Sequence, residues 1–202
     1  MLKDKELEKA ARFKIGKFGN EPLEDSDLEK IEEINISNRK FSGEEKNVSL
    51  EELRLFPNLK RISIQYFIVD NSVAETLNSL RNLEYLQFSS CKLDSDIQIK
   101  SGALRNISLN CCEIKNYRGL YAPEIFQIIG EENLRLDKIS GKEHIQKMYL
   151  QSCRVRGFST IDECVNLREL NLDGSKVDDN KKVDELRRII SVSQQSEYLP
   201  IR

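Results

Sequence analysis

The chain has 202 residues, of which 39% are hydrophobic, 4 are proline and 9 are glycine, a composition typical of one folded domain and not of a disordered or linker-rich chain. Its 32 lysine and arginine residues are balanced by 34 aspartate and glutamate residues, which leaves a formal net charge of -2. This balance argues against a nucleic-acid-binding protein, because positive charge is not in excess to neutralise phosphates.

The first 30 residues predict a short helical segment. Leu7, Ala10, Ala11 and Ile15 fall on one face of a helix, and the acidic stretch from Asp25 to Asp27 is suited to cap a second helical turn. No apolar run in this segment has the length of a secretory signal, and no later stretch approaches the length of a membrane span. We therefore expect the chain as given to be cytoplasmic, with no membrane as its partner.

From residue 31 onwards one pattern recurs: an apolar residue, a second one three positions later, and a third two positions after that. The clear copies are Leu59/Ile62/Ile64, Leu83/Leu86/Phe88, Leu104/Ile107/Leu109, Ile145/Met148/Leu150 and Leu167/Leu170/Leu172. A weaker first copy is Ile31/Ile34/Ile36, a degenerate fifth one is Pro123/Phe126/Ile128, and a frayed eighth one falls on Ile189 and Val192. Each copy predicts one strand of a repeated coil.

The segments between these strands carry a different period. Apolar residues recur there every three positions, which is the spacing of a 3₁₀ helix, where side chains at i and i+3 eclipse. The rows are Leu50/Leu53/Phe56/Leu59, Leu77/Leu80/Leu83, Phe158/Ile161/Cys164/Leu167, and Leu136/Ile139/Ile145, the last interrupted by Lys142. One coil is thus predicted to be a strand followed by a 3₁₀ turn.

The repeats resemble the bacterial leucine-rich repeats of the internalin type, and residues 6–37, ELEKAARFKIGKFGNEPLEDSDLEKIEEINIS, resemble the helical cap of that family. The resemblance implies an α/β fold, a right-handed solenoid with a parallel sheet on its concave face and 3₁₀ or short helices on its convex face. It implies a cap over residues 1–30, about seven repeats over 31–188, and a degenerate last repeat or C-terminal cap over 189–202. The insertion SGEEKN after Phe41 is the expected projecting loop.

Five cysteines without CxxC spacing argue for reduced thiols and against a disulfide scaffold. Three residues after the third apolar position stand Arg39, Phe67, Cys91, Cys112, Glu131, Cys153 and Ser175. The resemblance implies that this position is buried at a turn and bonds to backbone groups of neighbouring coils. The alternative is redox or metal chemistry, because Cys91 and Cys112 would lie about 4.8 Å apart, which a disulfide allows. Cys111 is expected on an exposed turn and Cys164 in the core.

The sequence offers no set of residues for catalysis, for a metal or for a cofactor. His144 is the only histidine and is expected in a partly exposed loop, and no Ser/His/Asp set, glycine-rich phosphate loop or metal-ligand cluster accompanies it. Carboxylate runs such as Glu131-Glu132 and Asp178-Asp179 are typical of solvated loops. We therefore expect neither an enzyme nor a small-molecule substrate.

The residues that alternate with the inward apolar ones should form the concave face of the sheet, in three rows. The first row is Glu33, Arg61, Tyr85, Asn106, Ile125, Lys147 and Glu169; the middle row is Asn35, Ser63, Gln87, Ser108, Gln127, Tyr149 and Asn171; the last row is Ser37, Gln65, Ser89, Asn110, Ile129, Gln151 and Asp173. "Concave face" below means these three rows.

The concave face is the predicted site for a protein partner, because tyrosine and arginine dominate binding hot spots. The candidate residues are Arg61, Tyr66, Tyr85, Gln87, Asn106, Ile125, Gln127, Lys147, Tyr149 and Gln151, with Tyr66 at the border. Tyr85, Tyr149 and Arg61 are the predicted anchors. The opposing interpretation is that a polar face only keeps an exposed sheet soluble.

The function that the sequence favours is a non-enzymatic protein-binding module. Two alternatives remain: an immunity or inhibitor protein for a cognate toxin, or a cell-surface adhesin if an export signal was removed. The sequence does not name the partner.

Overall fold

The computed structural model describes residues 2–19, 21–38, 50–95 and 97–195. The α-helices of this part are α1 (Lys5–Ile15), α2 (Asp25–Leu28), α3 (Asn71–Ser79) and α4 (Asn180–Leu186). The strands are β1 (Glu33–Ser37), β2 (Arg61–Gln65), β3 (Ile68–Val69), β4 (Tyr85–Ser89), β5 (Lys92–Leu93), β6 (Asn106–Asn110), β7 (Glu113–Ile114), β8 (Ile125–Ile129), β9 (Leu134–Arg135), β10 (Lys147–Gln151), β11 (Arg154–Arg156), β12 (Glu169–Asn171), β13 (Lys176–Val177) and β14 (Ser191–Ser193). The 3₁₀ turns are Glu51–Leu55, Leu136–Lys138, Lys142–His144 and Phe158–Glu163.

Eight parallel strands form one long sheet in the order β1-β2-β4-β6-β8-β10-β12-β14, so each coil of the chain adds one strand beside the previous one. The second apolar positions align in a single row, Ile34, Ile62, Leu86, Ile107, Phe126, Met148, Leu170 and Val192. This row confirms the predicted phasing, including the degenerate copy at Phe126 and the eighth copy at Val192. Ile189, the expected first position of that last copy, is 79% exposed, so the core ends there.

The sequence did not predict two narrow sheets, β3-β5-β7 and β9-β11-β13, whose strands follow the turns after the six long strands from β2 to β12. They pair through short main-chain ladders, such as the hydrogen bond from the Lys92 amide to the Phe67 carbonyl at 2.9 Å. Two-residue strands have no side-chain period to detect. The six coils that begin with β2, β4, β6, β8, β10 and β12 therefore have a second hydrogen-bonded side.

Among the described residues, three of the seven connectors between long strands contain 3₁₀ turns, as the three-residue period predicts, but one of the expected 3₁₀ rows is wrong. The row Leu77/Leu80/Leu83 belongs in part to a nine-residue α-helix, α3, capped by the Asp70 carboxylate on the Val73 amide at 3.0 Å. Asp70 ahead of a run containing alanine, glutamate and leucine favours an α-helix. The helix α4 was likewise not predicted.

In the N-terminal segment, α1 packs against the first strand of the long sheet. Leu7 and Ala11 of α1 are buried, while Ala10 and Ile15 pack against the core from its edge. In α2 the N-cap is Glu24 and not the predicted acidic stretch; Asp27 instead accepts a hydrogen bond from the Glu24 amide at 3.1 Å. The insertion SGEEKN and Arg39 lie outside the described residues.

The residue that interrupts the convex row, Lys142, is itself buried. Its side chain is 4% exposed, and its ammonium donates to the Leu136 carbonyl oxygen at 3.2 Å and pairs with Glu163 at 3.1 Å. The four-carbon stem of Lys142 therefore occupies the place of an apolar residue while its charged end reaches the solvent-exposed Glu163.

Replacing Lys142 by Met is expected to change the free energy of unfolding by no more than about 1 kcal/mol, because an apolar side chain of similar volume removes a buried charge together with its desolvation cost. Lys142→Ala, the matched control, should destabilise by about 2 kcal/mol because the stem's packing is lost. Urea denaturation of both variants measures this. Equal destabilisation by the two would contradict the packing role of the stem.

Candidate interaction surface

The backbone register of the long sheet places the three rows of the concave face side by side. Glu33, Arg61, Tyr85, Asn106, Ile125, Lys147 and Glu169 are direct neighbours across successive strands, and the middle and last rows align in the same way. Nine of the ten candidate residues thus share one surface, because strand residues two apart point to the same side. Tyr66 follows β2 at the border of that surface.

The turn that ends each long strand explains the position of Tyr66. Positive φ values recur at this turn, in Tyr66 (62°), Ser90 (51°), Cys111 (49°), Gly130 (74°), Ser152 (53°) and Gly174 (68°). The amide of each such residue donates to the equivalent carbonyl of the next coil, as Tyr66 does to Ser89 at 3.1 Å and Ser152 to Asp173 at 2.9 Å. These hydrogen bonds hold a left-handed conformation that non-glycine residues rarely adopt. Tyr66 is 40% exposed at this turn.

At the N-terminal part of the concave face, aromatic and cationic side chains are already in contact. The Arg61 guanidinium lies over the Tyr85 ring, 5.1 Å from its centroid. The Tyr85 hydroxyl donates to Gln87 Oε1 at 2.9 Å, and Gln87 Nε2 donates to Ser89 Oγ at 3.2 Å. The ring and the hydroxyl of Tyr85 are therefore both held in place before any partner binds, which lowers the entropy lost on binding.

The middle of the concave face combines a hydrogen-bonded serine with two aliphatic side chains. The Ser108 hydroxyl is buried between Asn110 Oδ1 at 3.1 Å and Gln127 Oε1 at 3.2 Å. Ile125 and Ile129 of β8 are half-buried on the same surface. This region offers apolar contact area surrounded by amide groups.

Asn106 has an unusual environment among the candidate residues. In the described part of the chain its side-chain oxygen is buried and has no hydrogen-bond partner. A buried acceptor without a donor raises the free energy of the folded chain, and such groups often mark places where a ligand or water completes the hydrogen bond. This unpaired oxygen could not be predicted from sequence, because it depends on the neighbouring strands.

Toward the C-terminal end, Glu169 joins two candidate residues. Its carboxylate accepts from the Tyr149 hydroxyl at 2.8 Å and pairs with the Lys147 ammonium at 3.0 Å. The hydrogen bonds from Lys147 and Tyr149 lower the pKa of Glu169, and burial together with Glu169 raises the pKa of Tyr149. At neutral pH the cluster is therefore an ionised carboxylate that orients a neutral tyrosine. Glu169 was not among the candidate residues, although its row position places it beside Lys147.

The cysteines behind the concave face form the backbone-bonding ladder that the resemblance implied. Cys153 Sγ lies 3.2 Å from the Gln151 carbonyl oxygen, and Cys91 Sγ lies 3.4 Å from that of Ile64. Ser175 fills the same position with stronger bonds, accepting from the Cys153 amide at 2.8 Å and donating to the Leu150 carbonyl at 2.6 Å. The thiols of the ladder therefore saturate main-chain groups at the turns.

All five cysteines are free thiols, and Cys111 is the exposed one. Burial raises the pKa of Cys153 to about 11 and that of Cys164 to about 12, and a shared hydrogen bond with Cys91 raises the pKa of Cys112 further. A thiol reacts as its thiolate, so burial and a raised pKa both suppress reaction at Cys112, Cys153 and Cys164. The hydrogen bond with Cys112 lowers the pKa of Cys91, so at Cys91 burial alone suppresses reaction.

The folded protein is expected to react rapidly with a thiol reagent at Cys111 alone, and at all five cysteines after denaturation. Cys111→Ser should abolish the rapid reaction without loss of folding, since Ser90 and Ser152 occupy the equivalent turn position. Titration with a chromogenic disulfide measures both. Rapid native reaction at Cys91 and Cys112 would instead support the redox interpretation.

His144 ends a 3₁₀ turn, Lys142–His144, and does not lie in the loop that we expected. Its Nε2 lies 2.8 Å from the Tyr121 hydroxyl. Among the described residues, no group of three or more histidine, cysteine or acidic side chains is placed to hold a metal ion. In the same residues no helix has the length and apolar character needed to cross a membrane.

One solved structure shares this architecture over almost its whole length. An internalin C2 from Listeria monocytogenes matches 95% of this chain and 93% of its own length, with a TM-score of 0.60 at 16% sequence identity. A second Listeria monocytogenes internalin matches 97% of this chain and 77% of its own, with a TM-score of 0.39 at 12% identity. No family model matches the sequence, and a comparison with curated proteins gives no match either. The predicted leucine-rich-repeat fold of the internalin type is thus confirmed.

Proposed function

We propose that this leucine-rich-repeat chain is a non-enzymatic module that binds a protein partner on its concave face. The observation that carries the proposal is the ordering of the predicted anchors: Tyr85 and Tyr149 each have their hydroxyl fixed by a neighbouring side chain, and Arg61 is stacked on Tyr85. Large side chains that are ordered before binding lose little entropy when a partner covers them.

The dimensions of the concave face suit a folded partner. Eight parallel strands spaced by about 4.8 Å make a surface roughly 34 Å long, which is enough for one small domain. Its charged residues are of both signs, with Arg61 near Glu33 and Lys147 paired with Glu169. A mixed surface of this kind favours a protein over a nucleic acid as the partner.

The test compares two serine-to-arginine variants as baits for affinity capture from the native cells. Ser63→Arg places a long charged side chain in the middle row of the concave face, whereas Ser159→Arg places the same change on an exposed convex turn. We expect a specific protein to be captured by the wild type and by Ser159→Arg, and lost with Ser63→Arg. Capture of the same partner by all three baits would exclude the concave face as its binding site.

A further inference from the structure

A groove of about 610 Å³ lies outside the concave face, along the edge where strands β6, β8 and β10 begin. Its walls come from three successive connectors: Lys100 and Ser101 before β6, Arg118 and Tyr121 before β8, and Ser140 and His144 before β10. Its volume lies within the range of ligand sites. The concave face does not contribute to it.

The groove exists because the middle connector is short. The repeat that starts at Leu104 is 19 residues long, against 22 for the one that starts at Pro123, and no helix separates β7 from β8. This connector lies tightly against the preceding coil, with the Ile99 amide donating to the Gly119 carbonyl at 3.0 Å. The recess therefore lies at the shortest of the three connectors that line it.

The C-terminal wall of the groove is fixed by its own contacts. The Tyr121 hydroxyl meets His144 Nε2 at 2.8 Å, and the ring centroids lie 5.5 Å apart. A side chain at Gly141 would come within 3.1 Å of the Tyr121 ring, so this glycine lets the ring lie close to the backbone. Ser140 Oγ donates to the Arg118 carbonyl oxygen at 3.3 Å. Hydrogen bonds and ring packing thus hold the C-terminal wall of the recess in place.

The charge of the groove is positive at its rim. Lys100 and Arg118 are both exposed, and neither forms an ion pair in the described part of the chain, whereas Lys92 pairs with Glu113 and Lys115 with Asp94. Glu124 is the carboxylate among the lining residues. The groove therefore carries two unpaired cationic side chains and one carboxylate, although the net charge of the chain is negative.

We propose that this groove binds an extended acidic segment of a protein partner. The three connectors lead into strands that are spaced by about 4.8 Å, so the groove is roughly 10 Å long. It has room for about three residues of extended chain. Aspartate or glutamate side chains of the segment pair with Lys100 and, in a bidentate fashion, with the Arg118 guanidinium. This site is separate from the concave face, and its test does not depend on the proposed function.

The test uses fluorescence anisotropy with a labelled Asp–Glu–Asp–Glu peptide at low salt, and an Asn–Gln–Asn–Gln peptide of the same length as the neutral probe. We expect the acidic peptide to bind and the neutral one not to bind. The double variant Lys100→Ala/Arg118→Ala should weaken binding by about fivefold, the effect of two exposed ion pairs. The matched control is Lys181→Ala/Arg188→Ala, which removes two exposed cations remote from the groove and should leave the affinity unchanged.

A second variant tests the recess itself. Gly102 lines the groove and has no atom within 4 Å of the position of a Cβ, so Gly102→Phe fills the recess without disturbing the core. We expect this variant to fold and to lose the acidic peptide. Equal weakening by both double variants, binding of the neutral peptide, full binding by Gly102→Phe, or no binding by the wild type would each overturn the proposal.

Discussion

Replacing Gly119 by Ala is expected to destabilise the protein by about 3 kcal/mol, the upper end of the range for overpacking a tightly packed site. A Cβ at Gly119 would overlap the backbone carbonyl of Ile97, which cannot rotate away as a side chain can. The same close approach brings the Gly119 carbonyl to the Ile99 amide. The added methyl group must therefore break the bridge between two coils in the middle of the solenoid.

Gly102→Ala is the matched control, since a Cβ there meets open space. Guanidinium denaturation should show a large loss of unfolding free energy for Gly119→Ala and a change within about 0.5 kcal/mol for Gly102→Ala. Coils of a solenoid contact only their neighbours, so a break at this position should also separate the unfolding of the two halves. Equal stabilities of the two variants would show that the coils can part without cost.

The strand positions of this fold could be predicted from sequence because two signals mark each strand. Residues such as Leu86 and Phe88 alternate with polar ones, and the pattern returns in the next coil. The copy at Phe126, which lacks a leading leucine, was still found because the regular neighbours fixed its phase. Repetition thus compensated for a weak local signal.

The helix type of the connectors was less predictable. A period of three does not separate a 3₁₀ turn from a short α-helix over nine residues, and α3 is decided by the Asp70 cap and by the length of the connector. The burial of Lys142 could not be predicted from sequence for a different reason. Its charge argues for the surface, whereas the three-residue row argues for the core, and only the position of Glu163 reconciles the two.

For the candidate site, the sequence could place side chains on the concave face but not the contacts between them. Row positions follow from a period of two, which is local. The contact of Tyr149 with Glu169 and the unpaired oxygen of Asn106 depend on residues that are about 20 positions away in sequence. The groove beside β8 depends on the relative lengths of three connectors, so no single motif marks it.

Truncating the predicted anchors is expected to have the largest effect on binding. Tyr85→Ala and Tyr149→Ala should each weaken the complex with the captured partner by about 2 kcal/mol, or roughly 30-fold in Kd, because each removes a large ordered ring from the interface. Arg61→Ala should weaken it by about 1 kcal/mol, since its guanidinium is more exposed and its stacking on Tyr85 is lost as well. Isothermal titration calorimetry measures all three.

The control for these variants is Ile68→Ala, which removes an exposed apolar side chain from a narrow-sheet strand outside the concave face and should leave the affinity unchanged. Thermal unfolding must show that each variant is folded, because a lost hydroxyl contact also frees Gln87 or Glu169. An affinity loss below about 1 kcal/mol for every one of the three anchors would mean that the polar concave face serves solubility and that the partner binds elsewhere. A loss confined to Tyr149 would instead shift the binding centre to the C-terminal strands, where Ile125, Ile129 and Lys147 surround it.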